Sequence, residues 1–452
     1  MRYVRLALGF ALMSAVAGMV YRHSLDDVLS AMAHFYTGHL PIDRWRQERL
    51  DDRLIGYADF LLLLSASALF FALVVRYGGK ASQALDRFAG SLILRNWPWS
   101  LVPLFVAAWW HFSTMSWEAT GSACWDEYCD YAQLIVDVFS GRNSSALATF
   151  MRSSYHANSP FVPVVIAVVS LATHLQIVDA YRLSCGIATL TTLWVMTKFF
   201  CPRLGIEGPG VAGAAVLFAL HVTVLRSSFF PQTDAWVLLW TALVLALALE
   251  RLQRPRAWQW GAGMALLTIG LFIKLSFLPV LAFLPLVEIA RHLADGERQP
   301  AALLRSLNPA VFAWTAVPLV IFQQVQHYAG TGGQYAVELR RMGTDDSAAL
   351  FVLGAVVQTI AFAVPLLSLG WREFGKAHWM LAGWVALYCM SIWISGASGW
   401  NRFYHATIPA LALLSIPGLQ RLAKGAGAAA AVSYVVLIVA LNLFAMRLAL
   451  YQ

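Results

Sequence analysis

Two adjacent carboxylates, Asp126 and Glu127, stand in Cys124-Trp125-Asp126-Glu127-Tyr128, with Glu118, Asp130 and Asp137 close by. A further acid, Asp234, follows Ser227-Ser228-Phe229-Phe230-Pro231-Gln232-Thr233 and immediately precedes an apolar run. Cations come later, as Lys274 in Phe272-Ile273-Lys274-Leu275-Ser276 and Arg402 in Gly399-Trp400-Asn401-Arg402-Phe403-Tyr404-His405. A charged group among apolar neighbours is costly unless it pairs, ligates or meets a substrate. The forked guanidinium of Arg402 and the ammonium of Lys274 suit phosphate oxygens. Loss of a phosphate needs little protonation, because cations or a metal stabilise its developing charge. Such a transfer needs one base for the incoming hydroxyl, and Asp126 is the preferred candidate, with Glu127 as the alternative or the orienting group. Asp234 has three readings: it orients the acceptor, counters a Lys or Arg, or joins Asp126 around Mg2+ or Mn2+. Asp234 is isolated from any Asp-x-Asp pair, so metal use stays open.

Other polar groups carry weaker signals. Arg340 and Arg341 follow Gly330, Gly332 and Gly333 without the Gly-x-x-x-x-Gly-Lys spacing of a phosphate loop. They read either as phosphate contacts or as part of a charge cluster capping the fold. His405 sits three residues after Arg402 and is a candidate substrate contact, as is Tyr404. His111, His156, His174 and His221 have no His or Cys at ligand spacing and read as packing or hydrogen-bonding residues. Cys124 and Cys129 bracket the acidic pair, either as a short bridge that bends the loop or as two free thiols.

The elements that must position these groups are membrane helices. Of 452 residues 59% are apolar and 12% charged, with mean hydropathy +0.63, which excludes an ordinary soluble enzyme. About 20 apolar residues cover the hydrocarbon layer, and such runs recur along the chain. The expected fold is all-α and polytopic, with spans near 5–21, 58–75, 98–116, 181–200, 210–229, 235–250, 257–273, 275–290, 310–326, 350–369, 379–396, 404–419 and 428–448. That makes about 13 transmembrane helices, the first an uncleaved span and not a signal peptide, with interfacial helices in the outer loops. The excess of 32 Lys and Arg over 24 Asp and Glu, a net +8, fits cytoplasmic loops and anionic headgroups, not nucleic acid.

Counting crossings places the candidate residues on one face. Two spans separate the Asp126 loop from Asp234, two more lead to Lys274, and four more lead to Arg402. Loops bearing Arg76 to Arg95, Lys198 and Arg203, Arg251 to Arg256, Arg291 to Arg305, Arg372 and Lys376, and Arg421 and Lys424 then all fall on the other, cytoplasmic face. The scheme requires that Phe161 to Leu175, which is short and interrupted by Pro163, lies in the interface without crossing. The small-residue run Gly425 to Ala431 favours close helix packing.

The order of these features resembles the GT-C superfamily of integral membrane glycosyltransferases, and within it the protein mannosyltransferase and lipid A aminoarabinose transferase group. The motifs that carry the resemblance are Asp126-Glu127 followed by Tyr131-Ala132, Ser159-Pro160-Phe161-Val162-Pro163, Arg182-Leu183, Asp234, Gly270-Leu271-Phe272-Ile273-Lys274, and Arg402-Phe403-Tyr404 with Pro409. The usual Lys-Pro-Pro is missing from the second motif, and two spans precede the one leading into the acidic pair. The resemblance implies an extension over 1–97, a catalytic core over 98–420 and a last helix over 421–452. It implies a polyprenyl-phosphate-linked sugar donor, in bacteria undecaprenyl phosphate, and an envelope lipid, glycan or protein acceptor. The expected catalytic residues are Asp126, Glu127 and Asp234, with Tyr131, Lys274, Arg340, Arg341, Arg402, Tyr404 and His405 binding substrate. The expected location is the inner membrane, with a cytoplasmic N-terminus and a periplasmic, inverting site. A transporter or flippase for a sugar-linked lipid is the alternative.

Overall fold

The computed structural model describes residues 128–141, 160–229, 233–274, 278–294, 309–328, 359–394 apart from 361, and 401–450, with isolated positions before residue 70. Asp126, Glu127, Arg340 and Arg341 lie outside the described residues, and at Arg402 only the backbone is described. Within them the chain is helical, with no strand. Three helices are long and apolar enough to cross a membrane: Ile177–Arg203, Asp234–Gln253 and Tyr404–Ala426. The expected count of spans extends beyond the described residues.

The helices used below are α1 (Tyr128–Phe139), α2 (Phe161–Thr173), α3 (Ile177–Arg203), α4 (Pro209–Ala219), α5 (Val222–Phe229), α6 (Asp234–Gln253) and α7 (Trp258–Ile273). They continue as α8 (Leu278–Ala294), α9 (Pro309–Tyr328), α10 (Val364–Gly370), α11 (Lys376–Ile394), α12 (Ile408–Ala426) and α13 (Ala428–Leu450). The stretch 257–290 is thus two helices, with Lys274 just past the first. The expected span 210–229 is divided at Leu220 and His221. His221 is fully buried; its Nδ1 accepts the Thr223 N–H (3.2 Å), so its Nε2 carries the proton and donates to Thr359 O (3.3 Å). A side chain that takes a backbone donor in this way offers the chain an alternative to a continuous helix. In α3 the turn Met196–Phe200 widens to π geometry, with the Cys201 N–H bonded to Met196 O. Pro202 explains it: the ring has no N–H to give and crowds the carbonyl four residues back.

Named contacts fix which helix ends coincide. Arg203, ending α3, bonds Glu250 near the end of α6 (2.8 Å), so these packed helices run parallel. On α6 and α7, Lys274 meets Asp234 while the Trp240 indole donates to Leu266 O (2.8 Å), so this pair is antiparallel. Near the start of α4, a Cβ at Gly210 would meet Ile416 and Gln420 of α12 at 3.2 and 3.3 Å, and Arg421 donates to Leu369 O (3.0 Å). The described basic residues from Arg203, from Arg251 to Arg256, and from Arg372 to Arg421 therefore gather at one end of the bundle. Asp234, Lys274 and the start of α12 lie at the other.

Helix α2 stays at the Asp234 end. Its first ring, Phe161, touches Trp236 and Trp240 in the first two turns of α6, and its last residue is separated from α3 by three residues. Its 13 residues extend about 20 Å, less than a bilayer core. Val162, Ile166 and Ala167 are buried while Val164, Val168 and Leu171 are exposed, which is the pattern of a helix with one face on protein and the other toward lipid.

The tightest crossing is between α10 and α12. A Cβ on Gly418 would overlap Leu366 O, and one on Gly370 would overlap the Gly418 backbone. Small residues let helix backbones approach in this way. Gly418→Ala should therefore cost about 3 kcal/mol from overpacking. Gly383→Ala, with nothing within 4 Å of its Cβ, should be neutral or slightly stabilising. Thermal unfolding of both variants in detergent is the check.

Candidate active site

Asp234 is the first residue of α6 and is 2% exposed. A carboxylate there is favoured by the partial positive charge of the helix N-terminus. The Trp236 and Val237 N–H groups bond to Thr233 O (3.0 and 3.1 Å), closing the first turn around it. Lys274 caps the C-terminus of α7 in extended conformation, its own N–H bonded to Gly270 O (3.2 Å). A cation is likewise favoured at that helix end. Lys274 Nζ donates to Asp234 Oδ1 at 2.5 Å. The pair is lopsided: the Asp234 side chain is 3% exposed and that of Lys274 is 23% exposed. The acid is enclosed, and the ammonium is partly exposed.

The third member comes from the 3-10 segment Asn401–Thr407, which leads into α12. His405 is fully buried, with Nε2 3.9 Å from Asp234 Oδ1. That is too long for a hydrogen bond, and it acts on the carboxylate through charge when the ring is protonated. Tyr404 is 1% exposed. Thr407 Oγ1 donates to Tyr404 O (2.7 Å), and the Trp384 indole donates to Ala406 O (3.2 Å). Trp384 is itself held edge-on by Phe283 (5.1 Å) and lies against Tyr388 (5.0 Å). Helices α8 and α11 thus set the height at which His405 meets Asp234.

Helix α1 begins at Tyr128, the residue after Glu127. It packs on α2 and α3: Ile135 and Val136 cluster with Ala167, and Tyr131 and Ile177 lie against them. Tyr131 therefore sits in the packing that ties α1 to the start of α3, at the Asp234 end of the bundle. Cys129 is disulfide-bonded, while Cys185, Cys201 and Cys389 form no disulfide. The one other cysteine in the chain, Cys124, is outside the described residues.

The structure therefore brings Asp234, Lys274 and His405 together, with Tyr404 beside them in the chain. The remaining candidates, Asp126, Glu127, Arg340, Arg341 and the Arg402 side chain, lie outside what is described. Asp234 Oδ1 faces a lysine and a histidine, and among the described residues no group of three His, Cys, Asp or Glu stands close enough to hold a metal. The described half of this site is built as an ion pair. Sequence reasoning overlooked Trp236, whose buried indole N–H meets no acceptor among the described residues. It also overlooked Phe161, which covers that ring. Both had the signature of ordinary apolar positions.

No family model matches the chain, and no curated protein matches it. Among solved structures it is similar to arabinosyltransferase EmbB from Mycobacterium smegmatis, at 15% identity and a TM-score of 0.46 over 82% of this chain. The match covers 34% of the EmbB chain, so this protein spans about a third of that length. Likeness at this level assigns no activity. The apolar helices define a helical membrane protein with a buried ionic cluster at one end.

The 3-10 segment gives a direct check on how the cluster is held. Trp384→Phe removes the bond to Ala406 O but keeps the ring packing, and should cost about 1 kcal/mol of stability. Thermal unfolding in detergent should show a lowered midpoint, and Trp371→Phe, at an exposed position, should leave it unchanged.

Proposed function

We propose that the protein is a GT-C-type membrane glycosyltransferase that moves a sugar from a polyprenyl-phosphate donor to an envelope lipid, glycan or protein acceptor. The observation that carries this reading is the lopsided Asp234–Lys274 pair. A partly exposed cation held at a helix end by an enclosed carboxylate suits a phosphate oxygen.

In this reading Lys274 and Arg402 take the phosphate, with Arg340 and Arg341 as further contacts. Asp234 holds the ammonium of Lys274 in place, and His405 adds positive charge beside the same carboxylate oxygen when protonated. The polyprenyl tail runs along the exposed apolar face of α2, at Val164, Val168 and Leu171. Asp126 takes the proton from the acceptor hydroxyl as the new glycosidic bond forms and the sugar–phosphate bond breaks, while Glu127 orients it. Tyr131 and Tyr404 complete the polar lining. Attack from the face opposite the leaving phosphate inverts the anomeric centre, and the phosphate leaves as an anion without an acid. The site lies at the periplasmic face of the inner membrane, with the N-terminus cytoplasmic.

Purified protein incubated with radiolabelled polyprenyl-phosphate sugars and envelope extract should transfer label to an acceptor. Asp126→Asn should lower turnover at least about 100-fold with the fold retained, the range expected for loss of a general base. Lys274→Met should weaken donor binding as well as turnover. Uptake of label into vesicles without covalent transfer would overturn this reading in favour of a transporter.

A further inference from the structure

Helix α6 ends at Gln253 and α7 begins at Trp258, so Arg254 to Ala257 turn the chain at the end of the bundle opposite Asp234. The turn is held by a side chain from α7. Gln259 is fully buried; its Oε1 accepts the Arg256 N–H (2.8 Å) and its Nε2 donates to Arg254 O (3.1 Å). A buried amide is costly unless it is bonded, and here both of its ends are given to the backbone of the turn. The Arg254 N–H bonds back to Glu250 O (2.7 Å), and the ring of Pro255 fixes its own φ. The backbone of the turn is therefore set in advance, while Arg254, Arg256 and Trp258 are exposed.

The acids near this turn are engaged by other arginines. Glu250 receives two bonds from Arg203 (2.8 and 3.2 Å), and Glu288 receives two from Arg251 (2.8 and 3.2 Å). Arg256 stands 3.9 Å from Glu250, with its side chain 53% exposed. Arg254 makes no ion pair among the described residues. The turn thus carries an excess of positive charge, and Trp258, 57% exposed, follows it directly. The 20 residues of α6 extend about 30 Å, so a chain that starts at one edge of the hydrocarbon layer reaches the other edge at this turn. Arginine and tryptophan suit that boundary, where a cation meets headgroup phosphates and an indole lies at headgroup level.

We propose that the α6–α7 turn is a binding site for an anionic phospholipid headgroup, with Arg254 and Arg256 on its phosphate and Trp258 beside its glycerol. Two guanidinium forks suit phosphate oxygens. A zwitterionic headgroup carries a cation of its own and gains less from two arginines. Because Gln259 fixes the backbone beforehand, that part of the ordering cost is not met on binding. The site lies away from Asp234 and stands apart from the proposed transfer activity.

The test compares two pairs of cations at the same end of the bundle. The probes are phosphatidylglycerol and phosphatidylcholine with matched acyl chains, titrated onto the full-length protein in detergent and followed by native mass spectrometry, with thermal unfolding in parallel. The unmodified protein should bind phosphatidylglycerol more tightly. Arg254→Gln with Arg256→Gln should weaken that binding about tenfold, the loss of two cations facing an anionic headgroup. The unfolding midpoint without lipid should stay unchanged, because an exposed ion pair contributes little. Arg372→Gln with Lys376→Gln removes two other exposed cations and should leave affinity within about twofold. Gln259→Ala keeps both arginines but releases the turn, and should weaken phosphatidylglycerol binding about threefold. Full affinity in that variant overturns the part played by Gln259; should it fold poorly, the two exposed pairs still decide the proposal. Equal losses in the two double variants mean a diffuse charge attraction and overturn the site. Equal affinity for the two lipids overturns it as well, and displacement by inorganic phosphate at the lipid's concentration overturns the choice of a lipid ligand.

Discussion

The contact between Asp234 and Lys274 is the constraint on which the rest of the site depends. It joins the first residue of one membrane helix to the residue just past the end of the next, and it does so where both helix dipoles favour the charges they meet. A carboxylate 3% exposed in an apolar bundle is tolerable only with its cation in place. The pair therefore dictates the register of α6 against α7, and with it the height of Trp236 and Trp240. It also dictates what His405 faces when the 3-10 segment arrives from α11.

The opposite end of the bundle supplies the counterweight. There Arg251 makes a two-point bridge to Glu288 (2.8 and 3.2 Å), with both side chains almost fully enclosed. Its guanidinium lies 4.2 Å from the Trp260 ring, which stacks on Trp314 at 4.0 Å. The Trp314 N–H is given to Trp260 O (3.0 Å), and the missing side chain of Gly263 makes room for that indole. This clamp binds α6, α7, α8 and α9 away from the chemistry. Helix α6 is thus pinned by charge at both ends, a rigid rod between an ionic lock and an ionic site, which is how a scaffold holds a site to the geometry that chemistry needs.

Much of this was legible in the residues themselves. Parity of crossings puts Asp234, Lys274 and His405 on one face, and the structure brings those three side chains together. The interfacial reading of the Phe161 segment follows from its length and its prolines; in the structure α2 starts beside Trp236 and Trp240 of α6 and ends three residues before α3. Other features were hidden for physical reasons. The break at His221 is made by a side chain capping a backbone N–H, with no Gly or Pro to mark it. The contrast between Trp240, whose indole reaches Leu266 O, and Trp236 depends on where the neighbouring helices lie, which no spacing rule detects. Nor does composition reveal that Lys274 would choose Asp234, since that depends on where two helices happen to end.

The central claim is that the enclosed Asp234 carboxylate and Lys274 hold each other as a pair, and a double-substitution cycle tests it most directly. Unfolding of the purified protein in detergent is measured for Asp234→Asn, Lys274→Met and the two combined. If the pair is as described, Lys274→Met strands the enclosed carboxylate and costs about 3 kcal/mol, Asp234→Asn costs less because the ammonium is partly exposed, and the combined change recovers most of the larger loss. Losses that simply add would mean that the two groups do not hold each other, and the account of the site would fail with them.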